Sequence, residues 1–199
     1  MRPQQMARNY DHIASWWKEQ MKNSDSGILP LKKAIQFTKN QGYALDVGCG
    51  SEGRFIRLML QSGFHVEGLD ISPKMITLAK KQHPYLKFYT DDICTWEMPR
   101  KYSFITAWDS TFHLPLNEQK PVLNKLCQGL TEGGILMFTF GEGEMEEISG
   151  SFAGETFEYS TLGRQKYLDL LSLFGCQIKH LEYDQYPENH IYVVAQKIN

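Results

Sequence analysis

The stretch Leu45-Asp-Val-Gly-Cys-Gly-Ser-Glu-Gly53 decides the fold of this chain. A short apolar run ends at Asp46, a glycine-rich turn follows, and an amphipathic segment extends from Phe55 to Leu60. This order predicts a strand, a tight turn and a helix. Glycines let the backbone turn sharply and bring its N–H groups close to a ligand. The first turn of the helix adds unpaired N–H groups and a partial positive charge, which together suit an anion.

The acidic residue before the turn indicates which ligand fits. Gly48, Gly50 and Gly53 have the G-x-G-x-x-G spacing that dinucleotide-binding enzymes share. Asp46 would repel a pyrophosphate but suits an ammonium group, so the ligand that fits has an amino acid end. Here the chain resembles the class I S-adenosylmethionine-dependent methyltransferases, whose first motif has the form acidic-x-Gly-x-Gly. The alternative is a turn with only a structural role.

Length and composition describe an ordinary globular protein. The 199 residues are 42% hydrophobic and 22% charged, which is enough for one domain with a substantial core. The formal net charge is -2 and no basic stripe is visible, so a nucleic acid is not the expected partner. No segment has the apolar length of a transmembrane helix or the pattern of a signal peptide. We therefore expect a cytoplasmic protein with no membrane partner.

The four cysteines do not indicate a metal site. Cys49, Cys94, Cys127 and Cys176 are far apart and have no histidine at ligand spacing. Neither a structural zinc site nor a disulfide framework is expected. Cys49 lies inside the glycine turn, where a small residue is needed, and we interpret it as filling space there.

The N-terminal region predicts two helices, within residues 6–40, separated by a polar segment at 23–27. Tyr10, Ile13 and Trp17 fall on one face of the first helix. This stripe either packs on the domain or covers a bound cofactor and substrate, and the two interpretations are compatible. Small-molecule methyltransferases that the chain resembles often carry such a cap beginning Tyr-Asp-x-Ile-Ala, which would place Tyr10 near the methyl group. Residues 1–40 are thus predicted to be a cap, and 41–199 the methyltransferase domain.

Strands and helices alternate after the glycine turn. Gly63 is a C-cap signal, and Ser72-Pro73 is an N-cap followed by proline at the first helical position. This alternation predicts right-handed crossovers and a parallel sheet. The predicted strands are 64–69, 86–89, 104–108 and 135–140, and the later helices are 117–130 and 162–174.

The end of the chain breaks this alternation. Two strand-like runs, 176–183 and 190–196, are separated by a segment too short for a crossover helix, so they predict an antiparallel hairpin. The resemblance implies an α/β fold with a doubly wound, Rossmann-like, seven-stranded, mostly parallel sheet in the order 3-2-1-4-5-7-6. A nicotinamide-dependent dehydrogenase need not end with such a hairpin.

Acidic residues follow four successive predicted strands: Asp46, Asp70, the pair Asp91 and Asp92, and Asp109. Ligands of open parallel sheets bind beyond the carboxyl ends of the strands. Asp70 comes 20 residues after Gly50, where a carboxylate can accept both ribose hydroxyls of a nucleoside. Any one of these acids could be a solvated turn residue, but the ordered set predicts a binding site.

The resemblance implies further contacts. Ile71 and Met75 would pack on adenine, whereas Asp91 or Asp92, with the backbone of Ile93, would contact its amino group; which aspartate does so is left open. The end of the fourth strand would pass beneath the sulfonium. The complete set of predicted cofactor-binding residues is Asp46, Gly48, Cys49, Gly50, Ser51, Gly53, Asp70, Ile71, Met75, Asp91, Asp92, Ile93 and Trp108.

The predicted catalytic residues are Asp109, His113 and Tyr10. The resemblance implies that the segment 107–115 lies where the transferred methyl points, so that Asp109 or His113 would act as general base or substrate anchor. His113 has packing as its alternative role. The Asn/Asp-Pro-Pro-aromatic signature of methyltransferases that act on nucleic acid or glutamine is missing, because Asp109-Ser-Thr-Phe112 stands in its place. This argues against base modification.

A long acidic and aromatic segment at 141–161 follows the fifth strand. Long connections of this kind are either functional lids or mobile surface. A substrate lid is predicted here, with a solvated acidic loop as the alternative.

Together these patterns predict a methyltransferase that uses S-adenosylmethionine to methylate a small molecule by in-line displacement, without a metal. The alternatives are an NAD-dependent oxidoreductase, which Asp46 and the terminal hairpin oppose, and a cofactor-binding module without catalysis. Aminopropyl transfer uses the same fold, but its acidic diamine-binding pattern is not apparent.

Overall fold

The computed structural model describes residues 3–51, 53–144 and 146–198 of the chain. The helices are α1 Pro3–Met21, α2 Ile28–Ile35, α3 Arg54–Gln61, α4 Pro73–Gln82, α5 Leu116–Gln128 and α6 Arg164–Leu173. The strands are β1 Tyr43–Val47, β2 His65–Asp70, β3 Lys87–Thr90, β4 Tyr102–Ala107, β5 Leu130–Gly141, β6 Glu146–Phe152, β7 Glu155–Thr161, β8 Cys176–Tyr183 and β9 His190–Lys197. None of the helices in these ranges is long and apolar enough to span a bilayer.

Seven strands form one mixed sheet in the order β3-β2-β1-β4-β5-β9-β8. The first five are parallel to one another, and β9 pairs antiparallel with both β5 and β8. This is the predicted order, because β8 and β9 are the sixth and seventh strands of the sequence-based scheme. The Rossmann-like fold with a terminal antiparallel hairpin is therefore confirmed.

Local sequence signals set the helix boundaries close to where they were predicted. Ser72 caps α4, since its Oγ accepts a hydrogen bond from the N–H of Met75 at 3.1 Å, and Pro73 occupies the first helical position. α3 ends at Gln61, and Gly63 follows with a φ of 90°, a left-handed conformation that glycine adopts without strain.

The sheet is covered on both faces, as a doubly wound fold requires. One core contains buried residues of α5 and α6, such as Val122 and Leu170, packed against Ile105 of the central strand β4. The other core contains buried residues of α2 and α3, such as Leu31 and Ile56. The second predicted N-terminal helix, α2, therefore packs on the sheet itself.

Most of the predicted lid segment 141–161 forms a hairpin of β6 and β7, over residues 146–161, rather than an irregular loop. The two strands pair antiparallel from Glu146↔Thr161 to Phe152↔Glu155. Their two-residue turn has positive φ at Ala153 (49°) and Gly154 (84°), as tight hairpin turns do. Long-range packing on α1 supports the hairpin, and that contact is invisible to local sequence patterns.

Helix α1 lies between this hairpin and α4. Met6, Ile13 and Phe157 form a small buried cluster with Tyr10 and Trp17 at its border. On the hairpin side, the Asn9 amide donates to the carbonyl of Thr156 at 2.6 Å. The predicted apolar stripe of α1 therefore packs against β7.

On the opposite side, the carboxylate of Asp11 attaches α1 to the start of α4. Asp11 Oδ1 accepts hydrogen bonds from Ser72 Oγ (2.5 Å) and from the N–H of Lys74 (3.0 Å). A carboxylate at a helix N-terminus also interacts favourably with the helix dipole. Asp11 thus completes the cap that Ser72 begins.

Replacing Asp11 with alanine should loosen α1. The variant loses the acceptor for Ser72 Oγ and the N–H of Lys74, and we expect the free energy of unfolding to fall by about 1 kcal/mol. Amide hydrogen exchange across α1 should accelerate while exchange in the central strands stays unchanged. The control is Asp25→Ala, at an exposed position before α2. Wild-type exchange rates in α1 of the Asp11 variant would contradict this role.

Candidate active site

The glycine turn after β1 is held at the carboxyl edge of the sheet by β2. The N–H groups of Gly48 and Cys49 both donate to the carbonyl of Leu69, at 2.7 and 3.0 Å. The N–H of Gly50 donates to Asp70 Oδ2 at 2.9 Å. Gly48 has a φ of 72°, and a Cβ added there would lie 2.3 Å from Cβ of Ser110. Glycine is therefore required at the first position of the turn on both conformational and steric grounds.

All sixteen predicted site residues line one cavity at this edge of the sheet. The space that it encloses, including its open mouth, is about 1130 Å³. The sixteen are Tyr10, Asp46, Gly48, Cys49, Gly50, Ser51, Gly53, Asp70, Ile71, Met75, Asp91, Asp92, Ile93, Trp108, Asp109 and His113. Their functional roles remain predictions.

Two of the strand-end carboxylates are poorly hydrated. Asp46 is 5% exposed, and burial raises its pKa to about 7 although Arg54 opposes the shift. Desolvation raises the pKa of Asp70 to about 6, against the lowering effect of the N–H groups of Ser72 and Gly50. The charge of Asp70 also raises the pKa of Asp46, by less than burial does. Such a pair favours a ligand that brings a positive charge.

The cavity wall also presents polar atoms without partners. Ser51 Oγ and Trp108 Nε1 are buried, and no described residue forms a hydrogen bond with either. Both residues line the cavity. Buried polar groups are normally hydrogen-bonded, so unpaired ones in a cavity wall suit a polar ligand.

The loop after β3 is held by a lysine from α5. Lys125 Nζ donates to the carbonyls of Ile93, Cys94 and Trp96 at 2.7, 2.9 and 2.9 Å. Asp91 Oδ1 accepts from the N–H of Asp92, at 2.8 Å. Asp92 Oδ1 in turn accepts a hydrogen bond from the N–H of Cys94, at 2.9 Å. Both carboxylates therefore bond within their own loop, and the choice between them as the adenine partner stays open.

The side chains of His113 and Tyr10 form a hydrogen bond with each other. His113 Nδ1 lies 2.8 Å from the carbonyl oxygen of Glu158, which only accepts, so this nitrogen carries the proton. His113 Nε2 consequently accepts from the Tyr10 hydroxyl at 2.7 Å. Desolvation lowers the pKa of His113 to about 4, and burial raises the pKa of Tyr10 well above its usual range. Both groups are neutral near pH 7, and this arrangement favours an anchoring role for His113 over that of a base.

Asp109 has an unusual backbone and an ionic partner. Its φ is 50°, a left-handed value that costs a non-glycine residue on the order of 1–3 kcal/mol. Its N–H donates to Thr139 Oγ1 at 2.9 Å, and its Oδ1 lies 2.7 Å from His190 Nε2. The other ring nitrogen, His190 Nδ1, bonds to Asp184 Oδ1. Burial opposes protonation of His190, but the two carboxylates outweigh it and raise its pKa.

Comparison with known proteins gives a family for this geometry. Residues 44–134 match the model of the methyltransferase domain family. These residues, which match a methyltransferase domain, include the glycine turn and all of the strand-end carboxylates.

Two curated relatives and one solved structure illustrate the likeness of this methyltransferase domain. It is 31% identical over 124 residues to the malonyl-[acyl-carrier protein] O-methyltransferase of Pectobacterium atrosepticum, covering 61% of the chain and 45% of that protein. It is 28% identical to the trans-aconitate 2-methyltransferase of Shigella dysenteriae, covering 70% of the chain and 58% of that protein. The chain thus spans about half the length of these relatives.

The structural likeness covers nearly the whole chain. The magnesium protoporphyrin IX methyltransferase of Synechocystis, solved with bound S-adenosylmethionine, superposes with a TM-score of 0.73 at 16% identity. The match covers 99% of this chain and 98% of that one. At this identity the likeness establishes the fold of the methyltransferase domain.

Sequence patterns missed several residues of the methyltransferase site. Arg54 lines the cavity at the start of α3, with its Nε donating to the carbonyl of Ser26 at 2.9 Å. His190 begins the antiparallel strand β9 opposite Gly141, at the edge where the parallel strands end. The predicted antiparallel direction of the last strand could have indicated His190. An antiparallel strand starts at the edge of the sheet where the parallel strands end, so its first residue lies near the site.

The pH dependence of stability should reveal the buried charge of Asp46. Its pKa rises from about 3.9 in the unfolded chain to about 7 in the folded one. The folded state then binds more protons than the unfolded state between these values, so stability is greatest at low pH and falls as the pH rises from about 4 to about 7. Asp70 adds the same trend up to about pH 6.

Asp46→Asn should therefore reduce, in the ligand-free protein, the loss of unfolding free energy between pH 5 and pH 8. Urea unfolding at pH 5 and at pH 8 measures this difference in the free energy of unfolding. Asp169→Asn, on the exposed face of α6, is the matched control and should keep the wild-type difference. An equal loss in the Asp46 variant and the wild type would show that Asp46 titrates normally.

Proposed function

We propose that this protein transfers a methyl group from S-adenosylmethionine to a small-molecule acceptor. The observation that carries the proposal is the pair of desolvated carboxylates, Asp46 and Asp70, beside the glycine turn in one cavity. A ligand that combines an ammonium, a carboxylate and a ribose matches these groups. The names of both curated relatives and of the solved structure describe methyltransferases.

The residues present fit this cofactor. Asp46 would bind the ammonium, the N–H groups at the start of α3 would face the carboxylate, and Asp70 would accept from the ribose hydroxyls. Ile71 and Met75 would pack on the adenine, with Asp91 or Asp92 and the N–H of Ile93 near its amino group. The unpaired Ser51 Oγ and Trp108 Nε1 offer further polar contacts.

When bound, S-adenosylmethionine supplies a methyl group on a positively charged sulfur that is a good leaving group. The protein therefore has mainly to align the acceptor atom behind the methyl, and positioning of this kind can lower a barrier by roughly 7–11 kcal/mol. Tyr10, Asp109 and His113 are the side chains that would orient the acceptor. The aromatic cluster of α1 and β7 would exclude water from the cavity.

We further propose that α1 acts as a cap and the β6–β7 hairpin as a substrate lid. Both pack over the cavity, where α1 contributes Met6, Tyr10 and Trp17 to the wall. The hairpin reaches the wall through Phe157, whose ring centroid lies 4.8 Å from that of Tyr10. A lid of this kind would have to move for substrates to enter.

A cytoplasmic location and a partner set without nucleic acid or membrane complete the proposal. Cys49, Cys94, Cys127 and Cys176 are all free thiols, which suits a reducing compartment.

Calorimetric titration with S-adenosylmethionine, S-adenosylhomocysteine and NADH tests the cofactor. We expect micromolar binding of the first two and none of NADH. Binding of NADH alone would make the protein a dehydrogenase. Failure of all three ligands to bind would contradict the proposal.

Asp70→Ala should weaken binding of S-adenosylhomocysteine at least tenfold, because hydrogen bonds to a charged acceptor contribute roughly 1.5–3 kcal/mol. Asp169→Ala is the control and should bind as the wild type does. Since Asp70 also accepts from the N–H groups of Gly50 and Ser72, the folding of the variant is checked by circular dichroism. A folded Asp70 variant with wild-type affinity would remove the ribose assignment.

A further inference from the structure

The side chains of Asp109, His190 and Asp184 are linked by hydrogen bonds and influence the charge at the Asp109 side of the cavity, which we call the acceptor end. Both ring nitrogens of His190 face carboxylate oxygens, and carboxylates only accept hydrogen bonds. Each carboxylate favours a proton on the ring nitrogen that it faces, and together they raise the pKa of His190 and favour its doubly protonated form. In that form the three side chains together carry one net negative charge.

Asp109 turns one oxygen toward this chain and leaves the other for a ligand. Its Oδ1 bonds to His190, and Thr139 Oγ1 lies 3.5 Å from the same atom. Among the described residues, no hydrogen bond reaches Oδ2. The left-handed backbone of Asp109 is held by Thr139, and strained residues of this kind persist where the surrounding structure fixes them, often at functional sites. Asp109 Oδ2 is thus a fixed hydrogen-bond acceptor in the cavity wall.

The charged side chains that line the cavity as a whole are mostly negative, although Arg54 interacts electrostatically with Asp109. The charged side chains among the described lining residues are Asp46, Asp70, Asp91, Asp92, Asp109 and Arg54. The Nε of Arg54 is already bonded to the carbonyl of Ser26, and Tyr10 and His113 are neutral and paired with each other. An anionic acceptor beside Asp109 would meet like charge, with Arg54 as its only cationic neighbour among these residues.

Aromatic side chains also line the cavity. Tyr10 and Trp17 come from α1, and Trp108 comes from the end of β4. Aromatic surfaces bind apolar rings, and their faces also attract cations. The wall therefore suits an aromatic molecule whose charge is zero or positive.

We propose that the methyl acceptor is a neutral or cationic aromatic molecule whose reacting hydroxyl or amine hydrogen-bonds to Asp109 Oδ2, and that carboxylate-bearing acceptors are excluded. This rests on the proposed methyl transfer. The acceptor oxygen or nitrogen forms the bond to the methyl carbon, the carbon–sulfur bond breaks with its electron pair on sulfur, and the acceptor's proton passes to Asp109. His190 is a positioning residue, because it orients Asp109 without reaching the acceptor.

Three phenols of one scaffold test the charge preference. Tyramine is cationic, 4-ethylphenol is neutral, and 3-(4-hydroxyphenyl)propionate is anionic, with nearly the same size and shape. Each is titrated calorimetrically into wild-type protein saturated with S-adenosylhomocysteine, and trans-aconitate is added as a polycarboxylate. We expect tyramine to bind at least tenfold more tightly than the propionate, with 4-ethylphenol between them and no binding of trans-aconitate.

Asp109→Asn should reduce the preference for tyramine over the propionate to less than threefold, whereas Asp169→Asn should keep it. The affinity for S-adenosylhomocysteine checks that each variant is folded. Equal or tighter binding of the propionate or trans-aconitate by the wild type overturns the charge proposal while the methyltransferase function stands. Failure of all three phenols to bind the loaded protein also overturns it. Failure of S-adenosylhomocysteine itself to bind removes both the function and this inference.

Discussion

The hydrogen bond from the N–H of Gly50 to the carboxylate of Asp70 joins the ends of two neighbouring parallel strands, β1 and β2. It forms because the glycine turn folds back over β2, where the N–H groups of Gly48 and Cys49 share the carbonyl of Leu69. Asp46, Asp70 and the start of α3 are thereby fixed around one space. Each of the other site elements, including the loop held by Lys125 and the helix attached by Asp11, closes a different side of that space.

The same constraint explains the electrostatics. Two carboxylates kept away from water resist ionisation, which raises the pKa of both Asp46 and Asp70. A cationic ligand would stabilise the ionised carboxylates, so ligand binding and the ionisation of Asp46 and Asp70 are coupled. The surroundings of Asp109 differ, because this carboxylate already has the ring of His190 as its partner. One cavity therefore contains two carboxylates that form no ion pair with any other described residue, and a third that is already paired.

The sequence allowed the sheet and the glycine-turn side of the cavity to be predicted, since both follow from local signals. Strand-end acids such as Asp70 and the N-cap Ser72 can be recognised from neighbouring residues alone. The β6–β7 hairpin was missed because residues such as Ile148 are exposed, and Phe157 becomes buried only against α1. Its Ala153-Gly154 turn was a usable signal. His190 was missed because its partner Asp109 lies 81 positions away in the sequence, and Asp184 was missed because it joins this site only through His190.

The most direct test of this account is a crystal structure of the protein with S-adenosylhomocysteine. The account predicts the ligand's ammonium within hydrogen-bond distance of Asp46 and its ribose hydroxyls on Asp70, with the sulfur directed toward Asp109. Density that placed the ribose away from Asp70, or the amino acid end away from Asp46, would contradict it.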